Sequence, residues 1–192
     1  MKVTDTVLKL YRMQLIRYNE HTENVYTTDM GRIASNYYIN VETMQYFLEN
    51  LKPTLREETF LLHLCSASEF KQLEARKEEM DELKLLANDM QYFEIDKASI
   101  NEPAYKTQIV LEAYLRQKNL KTFSLISDMA YVAQNSARLL RAMFEIALNK
   151  NYAQLALMAL RFVHIIDKRL RPDDHPMRQF TMDCHIGKLT NQ

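Results

Sequence analysis

Glycine occurs only twice in these 192 residues, as Gly31 and Gly187, and that scarcity constrains the fold more than any other feature. Tight turns that need a left-handed backbone default to glycine, so a parallel α/β fold with its many such turns is disfavoured. A phosphate-cradling P-loop and a dinucleotide-binding loop each need several glycines in one short segment, and neither is present. Leu and Met are abundant and apolar residues recur at helical spacing. The class is therefore mainly α: a helical bundle around one long central helix, preceded by a helix and a β-hairpin.

Formal net charge is zero, so no global field draws the chain to nucleic acid or anionic lipid, and any such site must be local. No apolar run is long enough to span a bilayer, and no signal-peptide pattern is present; no membrane partner is expected. Cys65 and Cys184 are too few and too far apart for a disulfide framework, which points to an intracellular chain with reduced thiols.

Residues 4–12 have helical periodicity. Leu15-Ile16-Arg17-Tyr18 and Val25-Tyr26-Thr27 are β-type segments around a polar turn. Helix, hairpin and helix is how a winged-helix domain ends, so residues 1–28 are expected to be its C-terminal part and the chain to start inside a domain. Thr28-Asp29 is expected to cap a helix through Tyr37, and Asn40 the next one. Thr54-Leu55-Arg56-Glu57 has the form of a capping box. Residues 74–88 read as a charged amphipathic helix, with the run 74–84 as a solvated face. Residues 89–101 read as a loop, and Pro103 suits the first turn of the helix that follows. Two strongly apolar helices, 123–149 and 152–170, complete a bundle expected over residues 29–171. Residues 172–192 are expected to be a linker and the start of a helix-loop-helix domain.

The helix at 123–149 is apolar on every side except one. Ser127, Tyr131, Gln134, Arg138, Arg141 and Glu145 follow one another at alternating spacings of four and three. At about 100° per residue they fall within about 80° of arc. Ser124 and Asn135 flank the line, and Asp128 stands at its edge. Arg138 and Arg141 suit phosphates, Gln134 and Asn135 suit bases or sugars, and Tyr131 can stack. Ala130, Ala137 and Ala142 would let a ligand approach the backbone. The same line also fits the solvent face of a bundle helix, although such faces usually carry Lys and Glu in i,i+4 pairs.

Other candidates are weaker. His175, Cys184 and His185 lack the spacing that places two metal ligands on one helix face, so no metal is expected. His164, on an apolar helix, reads as a packed core histidine. Cys65 beside His63 has no third group to orient a nucleophilic pair. No catalytic constellation remains.

Residues 30–39, Met-Gly-Arg-Ile-Ala-Ser-Asn-Tyr-Tyr-Ile, resemble the "LGRxASxxYI" signature that opens the Sec sixty-three homology unit of Ski-two-like helicases. Leu51-Lys52-Pro53-Thr54-Leu55, Ser68-Glu69-Phe70 and Arg76-Lys77-Glu78-Glu79 are similar to the segments that follow it. Residues 123–148 resemble the family's ratchet helix along their whole length. Ile166-Asp167-Lys168-Arg169 and Pro176-Met177-Arg178-Gln179-Phe180 are similar to its later motifs. One departure is Arg171-Pro172-Asp173-Asp174, where the family often has Trp after Asp-Lys-Arg.

The resemblance implies a non-catalytic accessory domain of an ATP-dependent RNA helicase of spliceosomal type, in the nucleus. It implies single-stranded RNA drawn past the ratchet helix, with Asn135 and Arg138 as the leading contacts, then Gln134, Arg141, Tyr131 and Ser127. ATP and Mg would belong to the parent helicase and no cofactor to this chain. RecA-like motor domains and the winged helix of the same parent chain are the implied partners, with other spliceosomal proteins. Gly31 and Arg32 are assigned to packing of the opening helix. Replacing Arg138 is expected to weaken unwinding and leave the fold intact. The alternative is a helical protein-docking scaffold. A strand guide would hold Arg138 and Asn135 in an open channel, whereas a scaffold would expose an apolar patch with aromatic anchors.

Overall fold

A computed structural model describes residues 2–90 and 102–170, together with His175 and Met177. Residues 91–101 of the loop expected at 89–101 and the motifs beyond residue 170, including Cys184 and His185, lie outside the described residues. The order is α1 (Lys2–Arg12), β1 (Ile16–Tyr18), β2 (Val25–Thr27), α2 (Asp29–Asn36), α3 (Val41–Asn50), α4 (Glu57–Cys65), α5 (Met80–Asn88), α6 (Pro103–Leu115), α7 (Phe123–Asn149) and α8 (Ala153–Lys168). Short 3₁₀ turns at Ser68–Phe70 and Lys77–Glu79 join α4 to α5. None of these helices is long and apolar enough to cross a membrane.

β1 and β2 pair antiparallel with Arg17 opposite Tyr26. Their turn is held locally: Asn19 Oδ1 accepts the N–H groups of His21 and Thr22, an Asx-type turn. Thr28 joins the hairpin to α2. Its hydroxyl donates to the carbonyls of Gln14 and Leu15 and accepts from the Gly31 N–H, so the expected cap is formed. Gly31 has a specific steric reason: a Cβ there would lie 2.0 Å from the Leu15 carbonyl oxygen. Packing of the opening helix therefore rests on Gly31. Arg32, assigned to packing as well, is exposed and pairs with Asp29 at 2.8 Å.

α7 is the centre of the bundle. Leu125, Val132, Leu139, Leu140, Met143 and Ile146 are fully buried against neighbouring helices, each contributing about 1.5–3 kcal/mol of apolar burial. α8 and α6 pack along it, and α2 and α4 also touch it. Phe60 of α4 stacks on Phe162 of α8 at 5.8 Å between ring centroids.

Several helix ends differ from their expected form. Asn40 stands at the N-cap of α3 but makes no side-chain cap; its amide donates to Ser68. Glu69, 29 residues away, accepts the Asn40 N–H at 2.9 Å and the Thr43 hydroxyl. The capping box at 54–57 does not form, because α4 begins at Glu57 with Arg56 as its uncapping N-cap residue. The helix expected from 74 begins only at Met80, after the 3₁₀ turn. Its charged run is not wholly solvated, since Glu79 is fully buried.

Candidate functional site

The polar line on α7 lies across the boundary between solvent and core. Ser127, Ala130, Gln134 and Arg141 face water. Ser127 and Gln134 have no side-chain partner among the described residues, and Arg141 meets Asp167 of α8 at 2.7 Å. Phe123, Ile126 and Leu148 are also exposed, so the outward side of α7 is less purely polar than its sequence suggests.

The other flank of the line turns inward and is fully engaged. Tyr131 donates to the Glu69 carbonyl at 3.1 Å and meets Phe70 edge-on. Asn135, only 9% exposed, donates to the Tyr131 carbonyl and accepts from Arg138 at 2.6 Å. Arg138 also donates to the carbonyls of Tyr37 at 3.1 Å and Tyr38 at 2.7 Å. Three of the guanidinium's five N–H groups are thereby used, and they satisfy the free carbonyls at the end of α2. Glu145 accepts the Tyr37 hydroxyl at 2.6 Å, which pushes the tyrosine up to about 12.

Ser124 and Asp128 continue this inward line toward the start of α7. Asp128 meets Lys106 of α6 at 2.6 Å, and Glu79 meets the same ammonium at 2.7 Å. Lys106 is 1% exposed. Its remaining donor reaches the Glu74 carbonyl at 3.1 Å, and the Ser124 hydroxyl donates to Glu79. Burial pushes the Glu79 carboxyl up, but the hydrogen bonds from Lys106, Ser124 and the Arg76 N–H outweigh it, and the net displacement is downward. A buried cation holding two carboxylates joins α6, α7 and the 3₁₀ turn that leads into α5. The approach to α7 is held from outside as well: Glu82 accepts the N–H groups of Lys121 and Thr122 and the Thr122 hydroxyl, just before the first turn.

The sequence-predicted residues thus divide. Ser127, Gln134 and Arg141 are presented outward, whereas Asn135, Arg138 and Tyr131 bind neighbouring backbone. Two clefts among the described residues are lined without Asn135 or Arg138. One of about 500 Å³ runs between α1 and α3 past Leu8, Arg12, Gln45 and Leu48; the other, about 480 Å³, lies between α2 and the end of α7. Sequence reasoning missed Lys106, although a single Lys amid the apolar residues of α6 and a single Asp on apolar α7 were visible as an unmatched pair.

The remaining candidates are placed as follows. His164 is exposed on α8 and not packed in the core. His63 Nδ1 bonds the Tyr46 hydroxyl at 2.8 Å, and its pKa lies below the ordinary histidine value because of burial and the Lys52 charge. Cys65 is fully buried and its thiol pKa is raised by desolvation, the opposite of an activated nucleophile. Among the described residues, no group of three or more His, Cys, Asp or Glu is placed to hold a metal ion.

A bundle of short helices fastened to one long central helix, with a hairpin at its head, defines a helical module. Residues 27–192 match the Sec63 Brl domain, and the chain belongs to that family. It is 40% identical over 178 residues to the U5 small nuclear ribonucleoprotein 200 kDa helicase of Homo sapiens, covering 93% of this chain. It is 33% identical over 181 residues to the DExH-box ATP-dependent RNA helicase DExH14 of Arabidopsis thaliana, covering 94%. Activating signal cointegrator 1 complex subunit 3 of Gallus gallus is 41% identical over 175 residues, covering 91%. The chain spans 8% of the length of each of these relatives.

Proposed function

We propose that this chain is a non-catalytic domain of an ATP-dependent RNA helicase and guides single-stranded RNA along the outward side of α7. The supporting observation is the presentation of Ser127, Gln134 and Arg141 on one side of α7, about two turns apart from one to the next, with Asp128 and Glu145 of the same helix already engaged elsewhere. The exposed pair Arg141–Asp167 contributes about 0–1 kcal/mol, so Arg141 can exchange its carboxylate for a phosphate at small cost. Hydroxyl, amide and guanidinium groups bond the backbone of any sequence, which suits a motor that must pass every base. Residues 1–28 are then the end of a winged helix, and residues 172–192 lead into a helix-loop-helix domain. RecA-like motor domains of the same parent protein supply ATP and Mg chemistry, and the named helicase relatives support a nuclear, spliceosomal setting.

The inward flank changes the weight of the individual residues. Asn135 and Arg138 act as the frame on which α2 is mounted; Gln134, Arg141 and Ser127 are the contacts a strand meets first. The test is duplex unwinding by the full-length protein carrying Gln134→Ala and Arg141→Ala together. Unwinding slows several-fold while Tm stays within about a degree of the parent. An unchanged unwinding rate overturns the reading.

A second reading, a docking scaffold for other proteins of the same complex, draws on Leu157 and Leu160, exposed on the same side of α8. Loss of a protein partner on Leu157→Ser, with unwinding intact, would favour it.

A further inference from the structure

α2 ends in a Schellman arrangement. The Ile39 N–H reaches the Ala34 carbonyl at 2.9 Å and the Tyr38 N–H the Ser35 carbonyl at 3.2 Å. The residue at the left-handed position is Tyr38, at φ 50°. Glycine is the usual occupant there, because a Cβ crowds the following carbonyl. Among the described residues, the other non-glycine residues with positive φ are Gln14, Glu23, Gln117, Asn151 and Arg169. Tyr38 is the one aromatic in the set. Arg169 uses its side chain within the fold, lying 4.7 Å over the Tyr114 ring and donating to the Tyr114 carbonyl. The Tyr38 ring is 83% exposed and packs on nothing that would offset the strained backbone.

Its position is fixed nonetheless. The Tyr38 carbonyl accepts from Arg138 at 2.7 Å, so the ring is rooted beside the middle of α7, next to the residue one turn beyond Gln134. We infer that Tyr38 is a stacking platform for an unpaired RNA base whose backbone runs along the outward side of α7. A planar, exposed phenol takes the π-face of any base. Arg138, which holds the Tyr38 carbonyl, uses three of its five N–H groups in the bonds to Tyr37, Tyr38 and Asn135, and the other two are left for the attached phosphate. This inference rests on the proposed RNA-guiding role of α7 and adds a residue from α2 to it.

The experiment uses full-length protein without nucleotide and a fluorescent single-stranded oligouridylate carrying 4-thiouridine. Tyr38→Gly removes the ring and suits φ 50°, so its Tm is equal to or above the parent's. Its RNA affinity falls roughly five-fold or more, while Tyr38→Phe binds as the parent does. In the unsubstituted protein, irradiation joins 4-thiouridine to Tyr38. If Tyr38→Gly binds RNA as tightly as the parent while Gln134→Ala/Arg141→Ala binds more weakly, the stacking role is wrong and the α7 path stands. If neither binds more weakly, the path itself is wrong. Loss of a protein partner with RNA affinity unchanged assigns Tyr38 to protein contact and overturns the inference, as does absence of the cross-link.

Discussion

Arg138 donates to Asn135 across 2.6 Å, and both side chains then reach backbone carbonyls, those of Tyr37 and Tyr38 from Arg138 and that of Tyr131 from Asn135. The centre of α7 is thus the mount for the end of α2. A strand passing along the helix runs over a surface whose position depends on this pair.

Arg138→Ala is expected to lower unfolding stability by about 1–3 kcal/mol, since it strips the partly buried Tyr37 carbonyl and Asn135 side chain of a charged donor. Arg138→Lys recovers only part, because an ammonium cannot span the same acceptors as a planar fork. Urea denaturation checks both. The sequence-based expectation that Arg138 can be replaced with the fold untouched is therefore revised, and an unwinding defect in that variant mixes two causes.

Lys106→Met leaves Glu79 and Asp128 buried without their cation. The loss is about 3–5 kcal/mol, read as a drop in denaturation midpoint at unchanged slope. Adding Glu79→Leu and Asp128→Leu recovers much of it, because the unpaired charges are gone. A loss below about 1 kcal/mol for the single variant means that the triad does not hold the three elements.

Gly31→Ala places a methyl group against the Leu15 carbonyl, 2.0 Å away before relaxation. The hairpin must shift from α2, with a cost of about 1–3 kcal/mol. Hydrogen exchange of the β1 and β2 amides should quicken while that of α7 does not. Uniform quickening throughout the chain would instead place Gly31 in the global core.

Acid should loosen the joints made by Glu79 and Glu82. Burial pushes the Glu82 carboxyl up, but the Thr122 hydroxyl, the N–H groups of Lys121 and Thr122 and the Lys121 charge together hold it below its ordinary value of 4.5. Glu79 is held down likewise. A carboxyl with a depressed folded pKa contributes stability that is complete above the unfolded value and lost as pH falls through the folded one. Stability is therefore flat with respect to these groups near neutrality and declines below about pH 4.5. Glu82→Gln lowers the plateau and reduces that slope. A slope identical to the parent's removes Glu82 from the account.

Local patterns in the sequence carried the helices and the hairpin. α7 and the paired strands lie where periodicity and β-type residues put them, and Thr28 caps α2 as its position suggests. The misreadings share one physical cause: helix ends satisfied from far away. Glu69 holds the N-cap residue of α3, Glu82 holds the N-cap residue of α7, and Arg138 closes α2 from 100 residues away. A cap three residues from a helix start is visible in sequence; one supplied by another helix is not. For the same reason the polar line on α7 looks like one site in the sequence, although its inner half is spent on the backbone at the end of α2 and of the turn at Glu69. Spacing defines an arc on a helix but not which edge of that arc a neighbour covers.

The central claim is that the outward side of α7 meets the translocating strand. Its most direct test is site-specific photo-cross-linking in the full-length protein, with a benzophenone side chain placed in turn at Ser127, Gln134 and, on the exposed side of α8, Leu157. On irradiation with a labelled duplex bearing a single-stranded overhang, RNA should be captured from positions 127 and 134 and not from 157. Capture from 157 alone, or of protein only at 127 and 134, would contradict the claim.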